Sequence, residues 1–449
     1  MNVNFAERAH NHNWKLDPIV RSLLDTDFYK LLMLQFIWKN FPGVEATSEI
    51  TNRTVRVRLA DRVGVQALIE QMEHVRGLRF RRSELIWLAG NTFYGTRSIF
   101  DPRFLDWLEH DFELSAYTVS EGRDEHEGQL ELCFSGLWTA VSMWEVYALA
   151  IVSELKTRAA LAELSELELD VLYARAKTRL WDKIKRLKTV PGLRVSDFGT
   201  RRRHSFLWQE YCVQAMRTAL NTKGPDGRLV ECFTGTSNTA LAYKLDLEAI
   251  GTNAHELPMA MAAMASRGSD AELRASQYRV LELWQQSYGG ALLVMLPDTF
   301  GTTQFLAGAP AFVGKWTGIR VDSKDPFEGG DEFIAWLESR GEDPRAKRLI
   351  ASDGLDVDTI MRLHAYFTGR IRFSAGWGTL LTNDFRDCHP RGEDTLAPLS
   401  LVCKLTSADG VPTVKLSDNT RKAAGPPELV KRYRRVFGTA AMEGSAVIV

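Results

Sequence analysis

Five cysteines are spread over 449 residues, and no two stand at CxxC spacing. The set (Cys133, Cys212, Cys232, Cys388 and Cys403) is odd in number, which excludes a fully paired disulfide framework and leaves no zinc-ligand spacing. The expectation is free thiols in a reducing cytoplasm. Charge bias is equally absent, since 56 Lys and Arg face 57 Asp and Glu for a net charge of −1. A chain without a broad basic field is not built to coat nucleic acid, so any positive charge that meets an anionic ligand must be local. No apolar run reaches the roughly 20 residues of a bilayer span. The most apolar stretch, 137–152, is broken by Glu145 and reads as a buried helix. The opening MNVNFAERAHNHNWKLD lacks the apolar centre of a signal peptide, and its His10 and His12 fall in a loose end. Together these absences point to a cytoplasmic protein that engages neither membrane nor nucleic acid.

Several catalytic motifs are also missing. GAPAFVGKW (308–316) is no P-loop, because five residues separate its glycines and Trp316 stands where a Mg²⁺-binding Ser or Thr belongs. Gly376-x-Gly378 lacks the third glycine and the ribose-binding acid of a dinucleotide fingerprint. There is no GxSxG elbow and no HExxH. The paired acids that follow an apolar strand in Rossmann-like phosphoribosyltransferases are absent as well.

What is present is order. Residues 22–40 read as an apolar helix opened by Asp25 or Asp27 and stopped at Pro42-Gly43. Val55, Val57 and Leu59 alternate with Arg56 and Arg58, as in a half-buried strand. Residues 154–190 read as helix ending in a solvated KIKRLK face. From residue 193 onward, short β-like runs (194–198, 229–233, 247–251, 291–296, 318–322, 348–352 and 370–374) alternate with helices. Ser269 and Glu272 have capping-box spacing. Apolar stripes follow at Phe333, Trp336 and Leu337, and at Val357, Ile360, Leu363 and Phe367. Repeated βα units imply a parallel sheet, and this many in succession suggest a (β/α) barrel rather than an open sheet, with closure left open by periodicity alone.

The residues just after the runs are polar, glycine-rich or charged: Gly199 to Arg203, Thr234 to Asn238, Thr252 to His255, Asp298-Thr299, Asp322 to Asp325, Asp353-Gly354, and Gly376 to Thr379. In a barrel these ends converge on one face, where active sites form. One such junction is readily a helix cap; seven together are hard to dismiss. GWGT has the make-up of a phosphate cradle, with glycines admitting backbone N–H groups and a Thr hydroxyl. Consecutive arginines suit pyrophosphate or carboxylate. Asp322 and Asp325 suit ribose hydroxyls or Mg²⁺. Arginines, aspartates and a phosphate cradle together suggest a phosphorylated sugar and a magnesium-bound pyrophosphate.

Read in order, LLDTDFYK (23–30), DFGTRRR (197–203), FTGTSN (233–238), GTNAHELP (251–258), IRVDSKDP (319–326), SDGLD (352–356), GWGT (376–379) and KLSD (415–418) resemble the nicotinate phosphoribosyltransferases, a type II phosphoribosyltransferase family. The resemblance implies an α/β chain: an irregular (β/α) barrel (151–395), an α+β N-terminal domain (1–150), and a C-terminal segment (396–449) that packs back on the latter. It implies that nicotinate, phosphoribosyl pyrophosphate, ATP and water give nicotinate mononucleotide, pyrophosphate, ADP and phosphate, with Mg²⁺ held mainly by substrate phosphates. His255 corresponds to the histidine phosphorylated by ATP. Thr252 and Arg320 correspond to nicotinate contacts, Tyr29 to the ring that stacks on the pyridine, Thr379 beside Gly378 to a 5-phosphate contact, and Asp322 to the acid by the ribose hydroxyls. Arg201, Arg202 and Asp353 are further substrate candidates, with Ser237, Asn238, Asp298 and Asp325 near the site. Related enzymes draw the tyrosine from a neighbouring subunit, which implies a homodimer.

The family commonly has Gly where this chain has Lys324. Of the three arginines, which one faces the site is open if the stretch is extended. His204 is the only rival to His255, since His364 sits on a helix stripe. Nicotinamide phosphoribosyltransferase is the close alternative, but there the resemblance calls for Asp at Ser237, which would repel a carboxylate. A quinolinate enzyme would be shorter and need more basic residues. A non-catalytic nucleotide-binding barrel is the alternative of a different class.

Overall fold

The structure is a computed structural model that describes residues 14–91, 94, 98–122, 127–223 and 229–438; His10 and His12 lie outside them. The first long helix is Phe28–Asn40, and it buries ten successive residues, Phe28 to Ile37. Buried on every side over that stretch, it runs through the core rather than along a surface. Asp27 is its N-cap by backbone position, but the carboxylate does not cap it.

The expected strand at 55–59 does not form. Val55 is exposed, and the segment leads into a short helix, Leu59–Arg62. The strand lies earlier, at β1 (Glu45–Asn52), where Ala46, Ser48 and Ile50 turn to the core. Alternation alone does not make a strand; a ladder partner does. β1 has two partners. One is β3 (Leu130–Leu137), itself paired with β2 (Ala116–Glu121).

The continuous helix expected from 154 to 190 is two helices, Trp144–Leu161 and Glu166–Lys188. Ser165 accepts from the Glu168 backbone N–H while the Glu168 carboxylate returns to the Ser165 N–H. The Ser-x-x-Glu spacing at 165–168 is the signal that the reading of 154–190 as one helix passed over. The KIKRLK face is only partly solvated. Ile184 and Leu187 are buried, and the Lys183 ammonium donates to the Leu380 carbonyl and Asp384.

The barrel starts at β4 (Val195–Asp197). The run at 229–233 splits. Its first part pairs as a hairpin, β5 (Asn221–Lys223) with β6 (Leu229–Glu231), and β7 (Phe233–Thr236) takes the barrel position. Asn221 marks the break, exchanging both side-chain hydrogen bonds with the Phe233 backbone at 2.9 Å. Then come β8 (Val294–Met295), β9 (Gly318–Val321), β10 (Arg348–Ala351) and β11 (Arg372–Trp377). The parallel order is β7-β4-β11-β10-β9-β8. The run at 247–251 adds only a bridge, Ala249 to Thr236. The Asn253 side-chain amide donates to the Val294 carbonyl at 3.2 Å, so a side chain spans the gap between this segment and β8. This is the irregularity of the barrel.

The chain returns through β12 (Leu401–Ala408), which pairs with β1, and ends the sheet at β13 (Val411–Pro412). The five-stranded antiparallel sheet, ordered β13-β12-β1-β3-β2, is therefore built from both ends of the sequence.

Candidate functional site

The barrel is hollow. Ile319, Val321, Leu349, Ala351, Phe373 and Ala375 are buried, as expected under surrounding helices. The residues that alternate with them (Arg320, Ile350, Ser374) are only partly buried, and so is Thr234 on β7. Their free surface faces a cavity of about 430 Å³. Barrel interiors are normally filled by bulky side chains. Here Ser196, Thr234 and Ser374 are too small to fill it, and strand ends, the first sheet and the C-terminal segment complete the wall.

His255 stands at the N-terminus of helix Glu256–Ala265 and lines this cavity. Its Nε2 lies 3.1 Å from Asp322 Oδ2, and its Nδ1 lies 2.9 Å from the Thr299 hydroxyl. Asp298 is 3.7 Å from Nε2. Burial lowers the His255 pKa more than the nearby carboxylate of Asp298 raises it, so the ring is neutral at pH 7. Burial pushes Asp322 up, but the hydrogen bond from His255 and the charge of Arg320 overcome it and hold its carboxyl well below the usual range. Asp298 takes a hydrogen bond from Ser323 at 2.5 Å, while its other oxygen has no partner among the described residues. The ligand atoms of His255, Asp298 and Asp322 lie within 4.8 Å of one another, a donor set compatible with a hard divalent cation.

Tyr29, Arg201, Arg202, Thr252, Arg320, Asp322, Asp353, Gly378, Thr379 and Ser237 all line the cavity with His255. Tyr29 is buried against its own chain's cavity and donates to Glu145 at 3.2 Å, so this ring needs no second subunit to reach the site. Arg320 donates to the Asn253 carbonyl at 3.1 Å, and its Nε has no partner among the described residues.

Two candidates fall elsewhere. Asp325 caps helix Pro326–Ser339, accepting from the Phe327 and Glu328 N–H groups. Asn238 caps helix Thr239–Leu245 and donates to Asp25 at 2.7 Å. Both are buffers of helix ends, not cavity groups. Lys324, where the family commonly has glycine, pairs with Glu332 at 2.7 Å and is not among the residues that line the cavity. His204 is buried, bonded to the Tyr173 hydroxyl and stacked on Phe385 at 3.7 Å, which removes it as a rival.

The three arginines separate because Thr200–Arg202 is a 3₁₀ turn, not an extended stretch. Successive side chains rotate by about 120°. Arg201 and Arg202 therefore both reach the cavity, while Arg203 is fully buried and bidentate to Asp25 at 2.6 and 2.8 Å. Arg201 has 45% of its side chain exposed, and it lines the cavity there. Burial, then the neighbouring Arg201, lowers Arg202 to about 10, so it stays charged at pH 7.

Ser237 does not offer a free hydroxyl to a base. It donates to Asp27 at 2.6 Å, and Asp27 lines the cavity. An aspartate is thus present beside position 237 even though the sequence has serine there. Burial pushes its pKa up against the attraction of Arg201.

The basic wall was missed from the sequence. Arg53, Lys404, Lys415 and Lys422 line the cavity from the first sheet and the C-terminal segment. Lys422 donates to Asp353 at 2.5 Å and to the Asp322 carbonyl at 3.2 Å. Burial, then Arg53, brings Lys404 down to about 8. KLSD divides its work: Lys415 faces the cavity, while Asp418 accepts from the Thr302 N–H and hydroxyl and starts helix Thr302–Gly308.

Comparison with known proteins agrees with this geometry. Residues 193–441 match the model of the nicotinate phosphoribosyltransferase (NAPRTase) family, and residues 24–153 match the family's N-terminal domain. The crystal structure of nicotinate phosphoribosyltransferase from Vibrio cholerae superposes with a TM-score of 0.81 at 30% identity, over 96% of this chain and 97% of that one. The enzyme of the same name from Porphyromonas gingivalis gives 0.78 at 27% identity, over 94% of this chain and 100% of that one. With both parts of the chain matched and the strand-end residues gathered around one cavity, the protein belongs to the nicotinate phosphoribosyltransferase family.

Proposed function

We propose that the cavity joins nicotinate to the ribosyl C1 of phosphoribosyl pyrophosphate, giving nicotinate mononucleotide and pyrophosphate, the first step of NAD salvage from nicotinate. The observation that carries the reading is one cavity holding His255 and Asp322 together with the cations Arg201, Arg202, Arg320, Lys404, Lys415 and Lys422. Displacement at C1 asks little of acid–base chemistry. It asks that base and sugar be held in line and that the departing charge be neutralised. Arg320 pairs with the carboxylate of the base, Tyr29 covers its ring, and Thr252 closes the edge. Gly378 and Thr379 take the 5-phosphate. Asp322 and Asp353 lie by the sugar, and Arg201, Arg202 and the lysine wall meet the pyrophosphate.

ATP enters through His255. Asp322 as acceptor keeps the proton on Nε2, which leaves the Nδ1 lone pair as nucleophile, with the Thr299 hydroxyl beside it. Nδ1 attacks the γ-phosphorus, and the bond to the ADP oxygen breaks as ADP leaves. Water later hydrolyses the N–P bond and releases phosphate. Phosphohistidine adds charge and acceptor oxygens, which tighten the substrate site. Mg²⁺ would be held by Asp298 and Asp322 with the substrate phosphates, where it supplies charge neutralisation.

We also propose three units (1–150, 151–395 and 396–449) in a cytoplasmic homodimer, which sedimentation at assay concentrations tests. Turnover with nicotinate against nicotinamide, with and without ATP, tests the reaction. Mononucleotide from nicotinate, favoured by ATP, is expected. A preference for nicotinamide would turn the assignment to the amide enzyme, and no turnover with any pyridine base would favour a binding barrel. Labelled ATP should leave acid-labile phosphate on the wild type and none on His255→Asn; equal labelling of both would remove His255 from the mechanism.

A further inference from the structure

Within the cavity wall, Glu145 and Glu256 are joined by a buried ammonium to which the reaction assigns no role. Lys30, on helix Phe28–Asn40, is fully buried. Its ammonium lies 2.6 Å from Glu145 and 2.6 Å from Glu256. Glu145 is in the first turn of helix Trp144–Leu161, and Glu256 is the first residue of the helix that His255 opens. The other Glu256 oxygen accepts from the Trp138 indole at 2.7 Å. Glu145 also accepts from Arg201 at 3.0 Å and from the Tyr29 hydroxyl at 3.2 Å.

Stability alone does not account for this arrangement. A buried ion pair is commonly no more stabilising than apolar residues of the same volume, because desolvation offsets the attraction. Each carboxylate also sits where its own helix dipole favours an anion. What the ammonium adds is connection. It ties the residue after His255 to the carboxylate that holds both Tyr29 and Arg201. Without it, two carboxylates would face each other and repel, and the Tyr29–Arg201 side would part from the His255 helix.

We propose that Lys30 is a positioning residue for the phosphoribosyl transfer, one buried ammonium that holds the His255 helix and the Tyr29–Arg201 side of the base subsite in a single geometry, so that phosphate on His255 is felt where the base binds. The proposal rests on the roles given above to His255, Tyr29 and Arg201.

The test uses the full chain and three variants. Lys30→Met removes the charge at nearly constant length. Glu256→Gln keeps the acceptor for Trp138 and the Lys30–Glu145 pair, and it serves if the first variant fails to fold. Lys30→Arg keeps the charge. KM for nicotinate and kcat are measured with and without ATP, alongside labelled phosphate on His255. Expected for Lys30→Met and Glu256→Gln is a KM for nicotinate raised about tenfold, the loss of roughly one charged contact, with a smaller change in kcat. Label on His255 is retained, but ATP no longer lowers that KM, and Lys30→Arg restores part of the effect. A folded Lys30→Met or Glu256→Gln with wild-type KM and a wild-type response to ATP overturns the proposal. So does a fall in kcat alone, which is what a merely structural role predicts. If the wild type takes no label, the phosphohistidine reading falls instead, and Lys30 is judged on the KM measured without ATP.

Discussion

Arg203→Met should destabilise the protein while leaving its substrate contacts in place. The guanidinium is fully buried, bidentate to Asp25, 3.8 Å from Glu154 and stacked over Phe206 at 5.1 Å. Methionine fills much of the volume but takes the cation from Asp25, while Glu154 keeps Arg158 at 2.9 Å. Breaking one side of a buried pair costs about 3–5 kcal/mol. Arg21 also attracts Asp25, which places this case near the lower end. Unfolding entropy of about 2.1 cal/mol/K per residue, over 449 residues, makes that lower end a fall in Tm of about 3 °C. Thermal unfolding followed by dye fluorescence reads it directly. Arg202→Met is the control. Arg202 donates to the Leu401 carbonyl at 2.8 and 3.0 Å and faces the cavity, so it should melt near wild type but raise KM for phosphoribosyl pyrophosphate. If Arg203→Met melted within about 1 °C of wild type and lost substrate affinity instead, the division of labour among the three arginines would be wrong.

Four further outcomes are expected. Lys404, lowered to about 8 by burial and then by Arg53, is charged below that pH and neutral above it. KM for phosphoribosyl pyrophosphate should therefore rise as pH goes from 7 to 9, and Lys404→Met should flatten that part of the profile. Arg320→Gln should raise KM for nicotinate by about tenfold or more, the scale of a lost charge-assisted pair, and its effect on nicotinamide should be smaller. Gly330→Ala places a Cβ against the Phe367 ring and Leu349, so overpacking of about 1–3 kcal/mol should lower Tm, while Lys324→Ala should leave kcat and KM unchanged.

Much of the site is local in sequence and was legible there. His255, Thr252, Asp322, Gly378 and Thr379 lie at or just after the ends of β-like runs, and chain geometry delivers such positions to one end of a parallel barrel, while Arg320 lies within β9. The helix from Ser269 is also local, since its capping box is written within four residues. Asp325 and Asn238 show the limit of that rule: the same residue types at the same junctions cap helices when their carbonyl or carboxylate oxygens meet the free N–H groups first. The strand misplaced at 55–59 has a similar origin, because pairing is decided by partners that lie more than eighty residues away at β3 and about 350 away at β12.

By itself, then, the sequence determined the succession of βα units, the set of strand-end residues and the family they belong to, because each depends on neighbours within a few residues. Only the tertiary structure decided which of the three arginines face the cavity, because a 3₁₀ turn sets their directions. It alone brought Arg53, Lys404, Lys415 and Lys422 to the mouth of the barrel, because β12 returns to pair with β1. And it alone placed Lys30 between Glu145 and Glu256, since 226 residues separate the ammonium from the second carboxylate and only folding closes that distance.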